Sequence, residues 1–331
     1  MARGSRPEGF LDAGTFEQIT ELRVRKPRLV EQEARRRKRR ARLARDGKLV
    51  LVALDHPARG VNAIRGDSLA MGDRFEYLSR ARRVLGDPDL DGVLASPDVM
   101  EELFLVNYLE RQRGGPGFLD GRVLVGSMNR GGIAGTSFEM EDAFTGFTAQ
   151  RLAALRCDGG KMLWRLDPHD PAAGRTMHSC AVAMNELRLR RLPVFLEPLG
   201  VEKHDERYEV MRDAATLVRQ CGIAAGMSES SQNVWLKLPY GDGFDRVCRA
   251  TTLPILLLGG PAREDPIETV RDFAAGLAVS SRVRGAVIGR NLLFPGRRDP
   301  FLMSRALTGL VHRGAAPKEA IAVMSGRKGH C

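Results

Sequence analysis

The chain has 331 residues, of which 43% are hydrophobic and 28% charged, a globular make-up that excludes a fibrous or mostly disordered protein. No apolar run approaches the roughly 18 residues of a membrane span, and the first 46 residues lack the apolar stretch of a secretion signal, so a cytoplasmic protein without membrane contact is expected. Five widely spaced cysteines without a Cys-x-x-Cys pair point to reduced thiols rather than a disulfide framework or a zinc knuckle.

The net charge of +11 is unevenly spread. Residues 1–46 hold 14 of the 52 Lys and Arg but only 7 of the 41 Asp and Glu, which leaves the remainder close to neutral. This basic N-terminal extension, 1–46, is predicted to end in a helix from Val30 to Asp46, with Arg35-Arg36-Arg37-Lys38-Arg39-Arg40 in its middle. No aromatic residues interleave with the cations to stack bases, so a solvated or subunit-facing helix is expected and nucleic-acid binding is not.

From residue 47 to 331 the pattern becomes short apolar runs separated by amphipathic stretches. Eight runs read as strands: Leu49–Asp55, Gly92–Ser96, Arg122–Ser127, Lys161–Leu166, Val194–Glu197, Val234–Leu238, Ile255–Gly259 and Gly285–Gly289. Helix-like segments between them include Ser68–Leu85, Val99–Arg111, Ala181–Leu192, Arg207–Cys221 and Pro266–Leu277. Eight repeats of strand and helix predict an α/β fold, a (β/α)8 TIM barrel with an N-terminal helical extension. A doubly wound dinucleotide-binding sheet would usually show a GxGxxG turn early on, and none follows the first run.

In such a barrel the functional groups project from the C-terminal ends of the strands. Strand alternation puts Leu51, Ala53 and Asp55 on one face and Val50, Val52 and Leu54 on the other. The larger apolar face should meet the helices, which turns Asp55 into the barrel mouth. In the fourth run Lys161, Leu163 and Arg165 share a face; the fifth ends in Glu197; the sixth carries Lys237 among apolar neighbours.

The lysines are informative because only 8 of the 52 cations are lysine, yet two stand within strands. Arginine cannot lose its proton at accessible pH, whereas a desolvated lysine beside another cation can become a neutral amine nucleophile. Lys237 is the expected imine-forming nucleophile, Lys161 the like charge that lowers its pKa, and Asp55 and Glu197 the carboxylates for proton transfer. Plainer readings exist for each. The lysine stems could lie on apolar surface with their ammonium groups in solvent, Asp55 could cap the following loop, and Glu197 could be only a structural partner of Lys161.

The seventh and eighth strands end in Leu258-Gly259-Gly260 and Ile288-Gly289-Arg290-Asn291. Glycines there let backbone N–H groups approach an anion, as the corresponding loops of many barrels do for phosphate. Simple turn punctuation is the alternative. A phosphorylated small-molecule substrate held by Gly259, Gly260, Gly289, Arg290 and Arg165 is therefore expected, with no cofactor and no metal.

Taken in order and by strand position, Asp55, Lys161, Glu197, Lys237 and the two glycine loops resemble the DeoC/LacD group of class I aldolases. That group includes deoxyribose-phosphate aldolase, tagatose-bisphosphate aldolase and bacterial class I fructose-bisphosphate aldolases, and the resemblance spans about residues 47–300. It implies a lyase of carbohydrate metabolism, a homo-oligomer, in which Lys237 matches the Schiff-base lysine and Asp55, Lys161 and Glu197 match the acid/base residues of the tagatose-bisphosphate branch. The fructose-bisphosphate branch fits less well. Its tyrosine near strand 4 has no counterpart in Met162-Leu163-Trp164-Arg165, and its Asp-His-Gly is Asp55-His56-Pro57 here. The basic extension also resembles aldolase-like proteins encoded with inositol catabolism, which implies 2-deoxy-5-keto-gluconate 6-phosphate as a candidate substrate. Two other readings stand beside this one. A metal-dependent aldolase would need ligands such as His169, His178 and His204 to converge; a non-catalytic sugar-phosphate-binding barrel would keep the glycine loops without needing two strand lysines.

Overall fold

The computed structural model describes residues 10–130, 132–205 and 207–326. The strands are β1 Leu49–Leu54, β2 Gly92–Ala95, β3 Val123–Ser127, β4 Gly159–Leu166, β5 Val194–His204, β6 Arg207–Val210, β7 Val234–Leu238, β8 Ile255–Leu258 and β9 Val283–Ile288. The helices are α1 Ala13–Arg25, α2 Leu29–Arg36, α3 Arg74–Val84, α4 Pro97–Gln112, α5 Ala149–Ala154, α6 Ala172–Leu189, α7 Ala214–Ala225, α8 Phe244–Arg249, α9 Pro266–Val279, α10 Arg290–Leu293, α11 Pro300–Arg313 and α12 Pro317–Met324. Pairing runs β4-β3-β2-β1-β9-β8-β7-β5, and β4 pairs with β5 to close the ring. All of these pairings are parallel, so the expected (β/α)8 barrel forms.

Two apolar layers follow from strand alternation. Val50, Val52 and Leu54 join the larger core beneath the helices, whereas Leu49, Leu51 and Ala53 join Leu94, Val125, Phe195, Leu256 and Val287 inside the barrel. Every residue of β1 is buried, as expected of a parallel strand covered on both faces. Asp55 therefore continues the inner row at its C-terminal end. Among the described residues no helix is long and apolar enough to cross a membrane, and Cys157, Cys180, Cys221 and Cys248 are buried free thiols.

Helix α3 starts at Arg74 rather than Ser68, α6 at Ala172 rather than Ala181, and β5 runs on to His204; two further segments change character. The helix predicted over Arg207–Cys221 begins instead as β6, an antiparallel partner of the extended end of β5 with Val201 opposite Val210 and His204 opposite Arg207. Its helical part starts after Asp213, whose side chain accepts from the Thr216 amide as an N-cap. The resulting hairpin stands at the barrel mouth.

The helix predicted over Val30–Asp46 stops at Arg36, because Arg37 turns to extended geometry (φ −57°, ψ 134°). There its guanidinium is buried, donates to the carbonyls of Arg122 and Arg156 and pairs with Asp158. Arg39 also binds Asp158, Arg40 binds Asp91, and the Lys38 amide donates to Asp120. Leu43 and Ala44 pack against the interior apolar layer. The arginine run is thus not a solvated helix. Part of it closes the N-terminal end of the barrel by meeting carbonyls and carboxylates that the strand starts leave there.

Candidate active site

Four charged side chains from four strands meet at the C-terminal end of the barrel interior. Lys161 Nζ lies 3.0 Å from Asp55 Oδ2 and 2.9 Å from Glu197 Oε2, and Lys237 Nζ lies 3.0 Å from Glu197 Oε1. The four alternate in sign as Asp55, Lys161, Glu197, Lys237. All are buried, with exposures of 2% for Asp55, 1% for Lys161, 4% for Glu197 and 6% for Lys237. Two residues earlier on β5 and β7, Phe195 and Trp235 stack with ring centres 6.3 Å apart, forming an apolar floor that keeps water from the charges above.

The plainer readings of these residues do not match this geometry. Neither lysine reaches open solvent. Asp55 binds Lys161 and accepts from the Ser127 hydroxyl at 3.3 Å, and Glu197 serves both lysines rather than Lys161 alone.

Burial and charge act in opposite directions on the two lysines. Burial disfavours both ammonium groups; at Lys161 the flanking Asp55 and Glu197 outweigh it and raise the pKa. At Lys237 burial, reinforced by Lys161, outweighs Glu197 and lowers it. Burial also opposes the carboxylates, yet the lysines hold Asp55 well below the usual range and pull Glu197 down to about 2. His56, beside Asp55 at 3.8 Å, is pushed by burial to about 3 and is a neutral imidazole.

Above Lys237 opens a cavity of about 410 Å³ lined also by Glu197, Gly259, Gly260, Gly289 and Arg290. Lys161 does not line it. The two glycine loops are tied together by Asn291, whose amide donates to the carbonyls of Gly259 and Pro261 at 2.7 and 2.8 Å. Gly260 has φ +65°, and a Cβ at Gly289 would fall 2.2 Å from His56 Cε1 and 2.8 Å from the Ala53 carbonyl oxygen, so both positions favour glycine. Arg290 lines this cavity and has a buried Nε without a hydrogen-bond partner. Arg165 stands apart. It is ion-paired with Glu139 and is not among the lining residues.

Comparison with known proteins places this barrel. The Cgl0159-like family model matches residues 47–304. The chain belongs to the Cgl0159-like family. A crystal structure of Cgl0159 from Corynebacterium glutamicum is 34% identical, with a TM-score of 0.85 covering 92% of this chain and 99% of that one. Two further structures share the fold of this Cgl0159-like protein at low identity. An archaeal fructose 1,6-bisphosphate aldolase is 20% identical (TM-score 0.58, 86% of this chain and 100% of that one). A fructose-bisphosphate aldolase from Slackia heliotrinireducens is 12% identical (TM-score 0.64, 99% and 96%). No curated protein matches the chain significantly.

Several groups around the cavity of the Cgl0159-like chain escape sequence reasoning. Arg59 follows β1, Arg212 follows β6, and Tyr208 on β6 donates to Asp170 at 2.7 Å; all three line the cavity. Tyr208 and Arg212 fall in the segment whose sequence reads as a helix, which hides their direction. Arg59 ends a single 3-10 turn, Pro57–Arg59, too short for any periodicity to orient it. Among the described residues no three histidine, cysteine or carboxylate side chains gather to hold a metal, so His169, His178 and His204 do not form a ligand set.

Proposed function

We propose that this protein is a class I aldolase that cleaves and forms a carbon–carbon bond in a phosphorylated keto-sugar or sugar acid through a Schiff base on Lys237. The observation that carries this reading is the division between the two lysines. Lys161 is enclosed between two carboxylates that raise its pKa, while Lys237 opens on the cavity with its pKa lowered by burial and by Lys161, so that it gives up its proton more readily than an ordinary lysine. A neutral amine in an enclosed site is what carbonyl attack requires.

In the cleavage direction Lys237 Nζ adds to the substrate carbonyl, and loss of water from the carbinolamine gives the protonated imine. Glu197, 3.0 Å from that nitrogen, is placed to move protons on and off it. A carboxylate, Glu197 or Asp55, takes the proton of the distal hydroxyl. The carbon–carbon electron pair then flows into the imine, an aldehyde departs and an enamine remains. Protonation at carbon and addition of water return the amine and release the ketone. Lys161 stays charged throughout and holds both carboxylates in place. The substrate phosphate is assigned to Gly259, Gly260, Gly289 and Arg290.

The test is reductive trapping. The protein is incubated in turn with deoxyribose 5-phosphate, tagatose and fructose bisphosphates and 2-deoxy-5-keto-gluconate 6-phosphate, then treated with borohydride and digested for mass spectrometry. A stable adduct on Lys237 is expected with the true substrate, and both Lys237→Ala and Lys237→Arg should remain folded and unlabelled. Turnover without an adduct, turnover abolished by EDTA, or more than a few per cent activity in either variant would overturn the imine mechanism. Tight binding of a sugar phosphate without turnover would favour the non-catalytic barrel.

A further inference from the structure

The chemistry at Lys237 leaves open how a carboxylate reaches the distal hydroxyl of the substrate. Glu197 is held by both lysines, and their charge keeps it a weak base. Asp55 does not line the cavity. Both of its hydrogen bonds, from Lys161 and from the Ser127 hydroxyl, fall on Oδ2, and Oδ1 lies 3.8 Å from His56 Nδ1.

His56 does line the cavity, together with Lys237 and Glu197. It follows Asp55 directly and precedes the single turn Pro57–Arg59, so its ring leaves the end of β1 beside the carboxylate. The two ring nitrogens differ. Nδ1, on the side of Asp55, is buried and has no hydrogen-bond partner. Nε2 also lacks a partner among the described residues, but it keeps accessible surface, and that surface belongs to the cavity wall. The ring is seated against the second glycine loop. A Cβ at Gly289 would fall 2.2 Å from Cε1 and 2.9 Å from Nδ1, so the glycine there makes room for the imidazole. A carboxylate behind one nitrogen and an open site before the other favour the tautomer with its proton on Nδ1 and leave Nε2 as an acceptor. The 3.8 Å gap is longer than a hydrogen bond, as catalytic contacts often are before substrate closes the site.

We propose, resting on the aldolase reading, that His56 is a further catalytic residue, the base through which Asp55 acts on the distal hydroxyl. With the substrate held as the protonated imine of Lys237, Nε2 takes the hydroxyl proton. The O–H electron pair becomes the new carbonyl bond, the carbon–carbon pair moves into the imine, and an aldehyde and an enamine result. Asp55 Oδ1 accepts from Nδ1–H and steadies the imidazolium. The same proton then passes from Nε2 to the enamine carbon, which restores the imine for hydrolysis. Burial, and behind it Arg290 and Arg59, keeps the ring neutral. A phosphate seated on Arg290 offsets part of that positive field and makes the imidazole a stronger base once substrate is present.

The experiment reads bond cleavage separately from imine formation. Wild-type protein, His56→Gln and His56→Asn are mixed in turn with deoxyribose 5-phosphate, tagatose and fructose bisphosphates and 2-deoxy-5-keto-gluconate 6-phosphate. Samples are quenched with borohydride at successive times and analysed by mass spectrometry. An adduct on Lys237 that carries the whole substrate reports the imine; one that carries only the carbonyl-bearing fragment reports cleavage. Glutamine keeps a hydrogen bond but takes no proton. In His56→Gln the whole-substrate adduct should form within about threefold of the wild-type rate, and the fragment adduct about 10²- to 10⁴-fold more slowly. A merely structural role would slow both alike. Cleavage within about tenfold of wild type in both variants, or equal loss of both adducts in both, would overturn the role of His56 while the wild type still labels at Lys237. No adduct of either kind in the wild type would overturn the aldolase reading and this proposal with it.

Discussion

Replacing Glu197 with glutamine removes one negative charge from between two ammonium groups and keeps the side-chain shape. Glu197 Oε1 is 3.0 Å from Lys237 Nζ, and Oε2 is 2.9 Å from Lys161 Nζ. At that separation and an effective dielectric of about 20, the lost attraction at Lys237 is at most about 5.5 kcal/mol, a ceiling of about 4 pKa units. Relaxation and water entry should reduce this to about 2 units. Lys161 is protected because Asp55 remains 3.0 Å away, so the change falls mainly on Lys237, whose pKa is already lowered. The sign is definite: losing the counter-charge favours the neutral amine and moves imine formation to lower pH. The assay is the rate of borohydride trapping against pH, followed by intact mass, beside steady-state turnover. Trapping should move acidward by about 2 units, while turnover falls about 10²- to 10⁴-fold if Glu197 also carries protons. An alkaline shift, or none, would show that Glu197 does not hold the proton on Lys237 and would refute the electrostatic account of the site.

Other outcomes follow from the same structure. Gly289→Ala places a methyl group against His56 and the Ala53 carbonyl, so it should cost about 1–3 kcal/mol in urea unfolding and weaken phosphate binding in a competition assay. Arg37→Ala removes a fully buried cation from Asp158 and from two carbonyls; because Arg39 still meets Asp158, a loss of about 3 kcal/mol in denaturant titration is expected. His312 is bound at both ring nitrogens, to Asp46 at 2.8 Å and to Asp91 at 2.9 Å. Burial opposes its charge, but these carboxylates, one of which also holds Arg40, raise its pKa above the ordinary 6.5. Its contribution to stability is therefore complete below about 6.5 and is lost as pH rises through the raised value. Thermal unfolding should show that loss in the native protein and not in His312→Leu.

Periodicity makes the barrel legible because each strand is short, apolar and flanked by an amphipathic helix, and because parallel strands inside such a fold have no polar face to confuse the pattern. Alternation within Leu49–Asp55 is enough to turn Asp55 inward, and the scarcity of lysine singles out Lys161 and Lys237. What periodicity does not supply is the pairing order. That Glu197 sits between the two lysines, and that only Lys237 meets the cavity, depends on how far each strand extends into the mouth. The β5–β6 hairpin escapes for a related reason. Arg207–Val210 is exposed or half-buried, so it has no buried face to impose a period-2 signal, and the helical pattern beyond Asp213 runs back over it.

The arginine run does not continue as a helix because local propensity competes with the end of the barrel that the segment has to cover. Arg35 and Arg36 remain exposed on α2, while Arg37 lies fully buried one residue later. A helix continuing to Asp46 would carry these cations around its circumference, take the arginine partners from Asp91 and Asp158 and leave the Arg122 and Arg156 carbonyls without the Arg37 donors. Unwinding at Arg37 gives up a few helical hydrogen bonds, each of small net value. It satisfies several buried acceptors, and leaving those desolvated and unpaired would cost more than the helical bonds contribute. The same balance explains the choice of cation at each end of the barrel. Acceptors that need fixed, multiply directed donors are met by arginine, whose fork reaches two carbonyls and a carboxylate from one side chain at Arg37. The mouth places lysine at two inner-strand positions, and at Lys237 the proposed chemistry needs the cation that can lose its proton.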